Sequence, residues 1–346
     1  MNILIGEITS YKAIVIAKYI KQTYPESIIF TYDYRNYTRI FRTKFSDKHF
    51  LIKKNDTSNF KLKEIIIKYN IEFFFPVINN EIKKIWKHKN DYGESLKYLG
   101  TYENYKILND KYKLHKLAKR LDILTPKIYN NLKEVIFPFV VKPTDLSSAK
   151  GILYINTKSD INKISNQRNL ILQEFITGVG VGYSCYCYNG QISNGYGHMR
   201  LAEYPITGGS STYRTNYIDE RMENVVNKII NNINYTGFAM FEFKLTKNNK
   251  LFLIECNPRI WGSINQGLVN GVNYFEKILY HKKNNKIKFK YKTYLSPLIY
   301  LSFLKYLLSF RINHIYLFLK NIRINKSDVS FFNDTKAYIS MILRKL

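Results

Sequence analysis

The stretch Gly237 to Ser263, GFAMFEFKLTKNNKLFLIECNPRIWGS, restricts the fold of this chain more than any other. Two apolar runs flank the polar turn Thr246-Lys247-Asn248-Asn249-Lys250, which is the pattern of a β-hairpin. Side chains alternate along a strand, so Phe238, Met240 and Glu242 share one face of the first strand. Leu251, Leu253, Glu255 and Asn257 share one face of the second. A turn centred on Asn248-Asn249 sets Glu242 opposite Glu255. Directly opposed like charges destabilise a sheet pair. Two carboxylates on an otherwise apolar face raise a pKa or take up a cation. Asn257 adds a neutral oxygen and Arg259 follows. Hard oxygen ligands that leave positions open suit Mg²⁺ held jointly with a nucleotide's phosphates. A plain surface hairpin explains the pattern less well, because Met240, Leu251 and Leu253 share the acidic face.

Glu242 followed by Glu255-x-Asn257-x-Arg259 resembles the metal-binding hairpin of the ATP-grasp superfamily. The continuation Trp261-Gly262-Ser263 to Gly271-Val272 is similar to the branch that resembles the carbamoyl-phosphate synthetase large chain, which contains many carboxylate–amine ligases. The resemblance implies an α/β (α+β) chain with an ATP-grasp fold, a Rossmann-like domain before it and a small helical extension after it. It implies that Glu242, Glu255 and Asn257 bind two Mg²⁺ ions, with Mn²⁺ an acceptable substitute. It implies that Arg259 neutralises an acyl-phosphate transition state.

The chain's 346 residues suffice for two or three packed units. The expected division is 1–100, then 101–283 with lobes of about 101–172 and 173–283, then 284–346. A hydrophobic content of 45% argues for a folded enzyme-sized protein. The net charge of +28 invites a nucleic-acid partner. Lys, Asn, Ile and Tyr are all abundant, however, as an AT-rich coding sequence gives, and the basic residues are scattered. The reading is no nucleic acid, with a field that favours anionic substrates such as ATP. Cys185, Cys187 and Cys256 lack a zinc-type cluster, and an odd count suits a reducing cytoplasm. MNILIGEITS has neither a basic leader nor a long apolar core, so no signal peptide is expected.

Residues 1–100 alternate strand and helix, which predicts a largely parallel sheet. Gly6 stands alone with no dinucleotide fingerprint, so the unit reads as substrate-side. Glu7 to Lys12 lie beyond a strand's C-terminal end, where open α/β sheets place ligands. Asn79-Asn80-Glu81 predicts a helix cap. Asn109-Asp110-Lys111 opens another helix, and Phe137-Pro138-Phe139-Val140-Val141-Lys142-Pro143 is an apolar strand ending in lysine. The family resemblance assigns Lys111 and Lys142 to the nucleotide phosphates. Such lysines offset part of the charge that ATP carries. Lys142-Pro143-x-Asp145-x-Ser147-Ser148-x-x-Gly151 resembles the family's phosphate loop but keeps a single glycine, with Ser147, Ser148 and Lys150 as phosphate contacts.

Asn169 to Ile176 reads as a strand. The resemblance gives Gln173, Glu174, Phe175 and Ile176 the adenine edge, and makes Glu174 the nearest candidate for ribose. Asn189-Gly190 marks a hairpin turn. Tyr204 to Arg214, with paired glycines and serines, reads as a loop approaching a ligand. The R…Y-P…G-G-S segment that includes it resembles one in the same family branch, which implies that Arg200 and Arg214 face phosphate or a substrate carboxylate. His198 reads as structural. Residues 282–292 are basic, and Tyr294 to Phe310 is apolar but too short to span a bilayer. Helices near 297–310 and 315–319 are expected to cap the core in preference to lying on a membrane surface. The expected function is ATP-dependent activation of a small-molecule carboxylate as an acyl phosphate, followed by attack of an amine. Bicarbonate activation and a non-catalytic nucleotide-binding module are the alternatives. A homodimer is compatible with the resemblance.

Overall fold

A computed structural model describes residues 1–53, 60–146, 151–164, 169–205, 208–280, 287, 289–295, 298–310, 312–320 and 325–344. Near the N-terminus, short apolar runs form β1 (Asn2–Ile5), β2 (Ile28–Asp33), β3 (Lys48–Leu51) and β4 (Phe73–Phe75). They pair in parallel in the order β3-β2-β1-β4, with α1 (Tyr11–Thr23), α2 (Phe60–Lys68) and α3 (Asn79–Lys87) between and after them. Parallel strands are covered on both faces, and Ile3, Leu4, Ile5, Phe74 and Phe75 are fully buried accordingly. The expected cap of α3 is corrected. Ile78 is the N-cap residue with no side-chain bond, and Asn79 already belongs to the helix.

Two helices then turn the chain, α4 (Tyr102–Asn109) and α5 (Lys111–Arg120). Asp110 caps α5 as expected, accepting from the Tyr112 and Lys113 amides at 2.9 and 3.0 Å. A small antiparallel sheet follows, of β5 (Ile128–Tyr129), β6 (Phe139–Pro143), β7 (Leu153–Ile155) and β8 (Leu170–Glu174), in the order β5-β8-β6-β7. It has its own core of Tyr129, Phe139, Val141 and Ile155.

The large sheet contains β9 (Val179–Tyr188), β10 (Gln191–Tyr204), β11 (Ser210–Asn216), β12 (Gly237–Leu245) and β13 (Leu251–Asn257), with α6 (Glu220–Asn232) between β11 and β12. Asn189 and Gly190 both have positive φ, 47° and 74°, as a tight β9–β10 turn needs. The predicted loop at 204–214 is corrected in part: Tyr204 ends β10 and Ser210 to Arg214 belong to β11, paired antiparallel with β10, while Gly208 to Ser211 line a cavity as expected of a ligand-facing segment. After α7 (Ile264–Val269) and α8 (Glu276–Leu279), the final segment is more than helical. It adds β14 (Lys292–Tyr294) and β15 (Asn325–Ser327) to the sheet, in the order β13-β12-β9-β10-β11-β14-β15. Helices α9 (Leu298–Leu308) and α10 (Ile312–Lys320) lie between these strands, and α11 (Thr335–Leu343) ends the described chain. One apolar cluster runs through the first and third sheets and takes in Ala337 and Met341 of α11.

Candidate active site

Glu242 pairs with Glu255 across β12 and β13, as the alternation requires. The register is reached by a different route. Thr246 N donates to the Lys250 carbonyl at 2.9 Å, which closes the loop and sets Leu245 opposite Leu251 and Phe243 opposite Leu253. Continued unbroken, that register sets Ile254 opposite Glu242. A β-bulge at Ile254 shifts it by one and brings Glu255 into place. Ile254 and Glu255 therefore both line the cleft, while Leu253, which simple alternation placed on the acidic face, is packed into the core.

Each acid has a cationic neighbour. Arg200 on β10 pairs with Glu242, lies 3.6 Å from Glu203 and donates to the Gly209 carbonyl at 3.3 Å. A Cβ at position 180 would sit 3.0 Å from the Arg200 Cδ, so glycine there leaves room for the arginine stem. Lys111 Nζ lies 3.3 Å from the Glu255 carboxylate and donates to the Leu146 carbonyl at 2.6 Å. Burial pushes the Glu255 carboxyl up, but the Lys111 and Lys142 ammonium groups outweigh it and hold the group below its ordinary value. Burial dominates at Glu242, whose carboxyl is pushed up despite Arg200, with Glu255 adding to the rise. Lys142 is 4% exposed; burial lowers its pKa to about 8 against the pull of Glu255. Asn257 Nδ2 donates to Glu242 at 3.0 Å, and Arg259 Nη2 donates to Asn257 Oδ1 at 2.6 Å.

Two cavities meet on this hairpin. The first, about 530 Å³, is lined from the N-terminal unit by Thr9, Lys12 and Asn79 and from the hairpin by Asn257 and Arg259. The second, about 630 Å³, lies between the small and large sheets, with Lys142, Gln173, Phe175, Glu203 and Lys244 among its walls. Arg200, Glu242 and Glu255 line both. A group held in one cavity can thus reach a group held in the other beside two acids and a guanidinium.

A family model for the ATP-grasp domain matches residues 108–263, the stretch that carries Lys111, Lys142 and both acids. Residues 108–263 form an ATP-grasp domain. A 74-residue stretch of the chain is 32% identical to the D-alanine–D-alanine ligase of Fusobacterium nucleatum. It covers 21% of this chain and 26% of that protein, so the match spans about a quarter of the curated relative's length. Among solved structures, the fold is similar to the biotin carboxylase domain of 2-oxoglutarate carboxylase from Hydrogenobacter thermophilus, solved with MgADP, ADP and bicarbonate. The TM-score is 0.65 at 12% identity, over 84% of this chain and 73% of that one. It is also similar to L-amino acid ligase from Bacillus licheniformis, with a TM-score of 0.59 at 12% identity over 80% and 73% of the two chains. Identities this low speak for the fold alone.

Most residues expected at the ATP-grasp site converge. Lys142, Glu242 and Glu255 line the second cavity, with Lys111 against Glu255. Asn257 and Arg259 line the first. Gln173 is buried and held in the ladder between β5 and β6. β8 ends at Glu174, so Phe175 and Ile176 leave the ladder at the cavity wall. Glu174 also lines the cavity, but its carboxylate accepts from the Lys127 amide at 3.0 Å. Ser147, Ser148 and Lys150 lie outside the described residues. Arg214 is corrected. It is 1% exposed and bonded to the buried carboxylate of Asp328 and to the Ser211 carbonyl, and neither cavity has it in its walls.

Among the described residues no group of three His, Cys, Asp or Glu side chains is set to hold a metal ion. The donors beside one another are two carboxylates and an amide, all oxygen. That set fits Mg²⁺ drawing its remaining ligands from phosphate and water. The Asn257 side-chain Oδ1 is engaged by Arg259. His198 is 2% exposed and lines the first cavity; burial and two arginines lower its pKa to about 3, and it packs against Gly182.

Sequence reading missed several wall residues. Glu203 is an acid on the second cavity, and Lys244, which donates to the Gly178 carbonyl at 3.1 Å, is a cation there. Only the period-2 pattern along β10 and β12 marked their faces. Met341 and Arg344, far along the chain, line the first cavity. Arg344 donates to Glu7 and Thr9 at 2.8 and 2.9 Å, and no local signal announces that contact.

Proposed function

We propose that the chain is an ATP-dependent ligase that joins a carboxylate to an amine. The observation that carries this reading is the meeting of two cavities on Glu242, Glu255 and Arg200. The second cavity takes the nucleotide, with its phosphates toward Lys142 and Lys111. The first takes the acid and then the amine. In the first step a carboxylate oxygen bonds to the γ-phosphorus as the bond to ADP breaks. In the second the amine nitrogen bonds to the acyl carbon, phosphate leaves with the bonding pair, and the amine proton passes to water.

The chain supplies alignment and charge compensation for both steps, with no protein nucleophile. Lys111 and Lys142 hold the phosphates, and Arg259 neutralises the acyl phosphate. Glu242, Glu255 and Asn257 would hold two Mg²⁺, or Mn²⁺ in their place, which when bound would supply charge compensation for the phosphoryl group. Glu174 and Glu203 both line the second cavity and are the two acids available to the ribose, the first engaged by the Lys127 amide and the second by Arg200. A first cavity of about 530 Å³ has room for more than bicarbonate, which favours an organic acid. Three buried free thiols fit a reducing cytoplasm. The division at about residues 100 and 283 belongs to this proposal.

Glu255→Gln tests it. The variant is expected to stay folded, with a lowered melting temperature because Lys111 and Lys142 lose a counter-charge, and to lose ADP release in the presence of acid and amine. Normal turnover in it removes the mechanism. Tight nucleotide binding by the unaltered chain, without ADP release from any acid and amine in a metabolite pool, identifies a non-catalytic binding module instead.

A further inference from the structure

Helix α9, LIYLSFLKYLL, is apolar nearly all round, and such a helix is ordinarily covered on every side, by protein or by lipid. Here one face is covered. Ile299, Ser302 and Tyr306 turn inward, with Ser302 Oγ 2.7 Å from Thr212 Oγ1 and the Tyr306 hydroxyl accepting from the Glu203 amide at 3.3 Å. The opposite arc faces outward. Leu304, Leu307 and Leu308, with Phe310 at the turn and Ile312 and Leu319 on α10, are each more than half exposed. The expectation of a simple core cap thus holds for one side of the helical hairpin only.

The composition of the segment that carries this surface says what covers it. Between Glu276 and Asp328 the sequence holds twelve Lys and Arg and neither Asp nor Glu. A second copy meeting the same face would bring the same sign of charge to it, which opposes a two-fold contact. An anionic lipid surface offers apolar depth and the opposite charge together. No described helix is long and apolar enough to cross a membrane. We propose that the α9–α10 hairpin lies along the surface of an anionic bilayer and seats its leucines and Phe310 below the headgroups. Through Tyr306 and Ser302 the docked hairpin braces β10 and β11, next to Arg200 and Glu203.

Sedimentation of the full chain with lipid vesicles tests this. The chain is expected to pellet with phosphatidylcholine vesicles carrying about one third phosphatidylserine and to stay in solution with phosphatidylcholine alone. Salt is expected to release it. The L304E/L308E variant, altered only on the exposed arc, is expected to keep its melting temperature and to partition at least about tenfold more weakly. Equal binding to neutral vesicles, no binding to either, or undiminished binding by the variant overturns the proposal. So does a dimer in sedimentation equilibrium that the variant converts to monomer without affecting lipid binding. None of these readouts uses ADP release, so they stand apart from the ligase reading.

Discussion

Lys142 sits where two demands conflict. Its stem ends an apolar strand, so the folded chain holds the charged form at a cost; that is why its pKa falls to about 8 from the ordinary 10.5. The folded state therefore binds its proton less tightly than the unfolded state. The cost is fully present below about pH 8 and fades as pH rises toward 10.5. At neutral pH it amounts to roughly 3 kcal/mol. Lys142→Met is expected to raise the stability of the ligand-free chain by up to about that amount in denaturant melts, while weakening nucleotide binding. A bound polyphosphate favours the charged form, so above about pH 8 binding must take up a proton. Affinity for MgADP is then expected to be flat below that pH and to fall by up to about tenfold per pH unit above it. Lys142→Gln is expected to flatten the profile at weak affinity. Calorimetric titration across this range checks both, and an unchanged profile in the variant rules Lys142 out as the group responsible.

Among the elements, the acidic hairpin was the most legible, because strand alternation and a polar five-residue turn are local signals. The bulge at Ile254 was not, since nothing in LFLIECN marks where an extra residue enters the ladder. Arg214 was misread for a related reason. A run of glycine and serine looks like a ligand loop, and the carboxylate that claims the arginine, Asp328, arrives 114 residues later. β14 and β15 have three residues each, too few to show a period. The buried pair ties β11 to the segment after β15, and that makes a sharp prediction. Asp328→Asn leaves a buried guanidinium without its counter-charge and is expected to cost about 3–5 kcal/mol of stability. The R214M/D328L pair is expected to recover most of that, with ADP release within about twofold of the unaltered chain. A double variant that folds normally yet loses turnover returns Arg214 to the chemistry.

On the scale of the whole molecule, the end of the described chain closes on its beginning. Asp334 caps α11 by accepting from the Ala337 amide at 3.2 Å, and also accepts from Thr43 and from the Lys44 amide beside β3. That docking sets Met341 and Arg344 against the first cavity, where Arg344 holds Glu7 and Thr9 just beyond the end of β1. Glu7 has φ of 44°, a left-handed conformation uncommon for glutamate, and Arg35 lies 3.6 Å from its carboxylate. The expectation that Glu7 to Lys12 face substrate therefore acquires a partner from the far end of the sequence. Arg344 lines the first cavity, where the proposed function seats the acid and the amine, and is absent from the walls of the second. Arg344→Ala is expected to raise KM for the acid about tenfold or more, as for loss of a charge-assisted contact, and to leave the Kd for MgADP unchanged. Parallel loss of both would mean that the tail braces the whole cleft, because a contact confined to the first cavity leaves binding in the second unchanged.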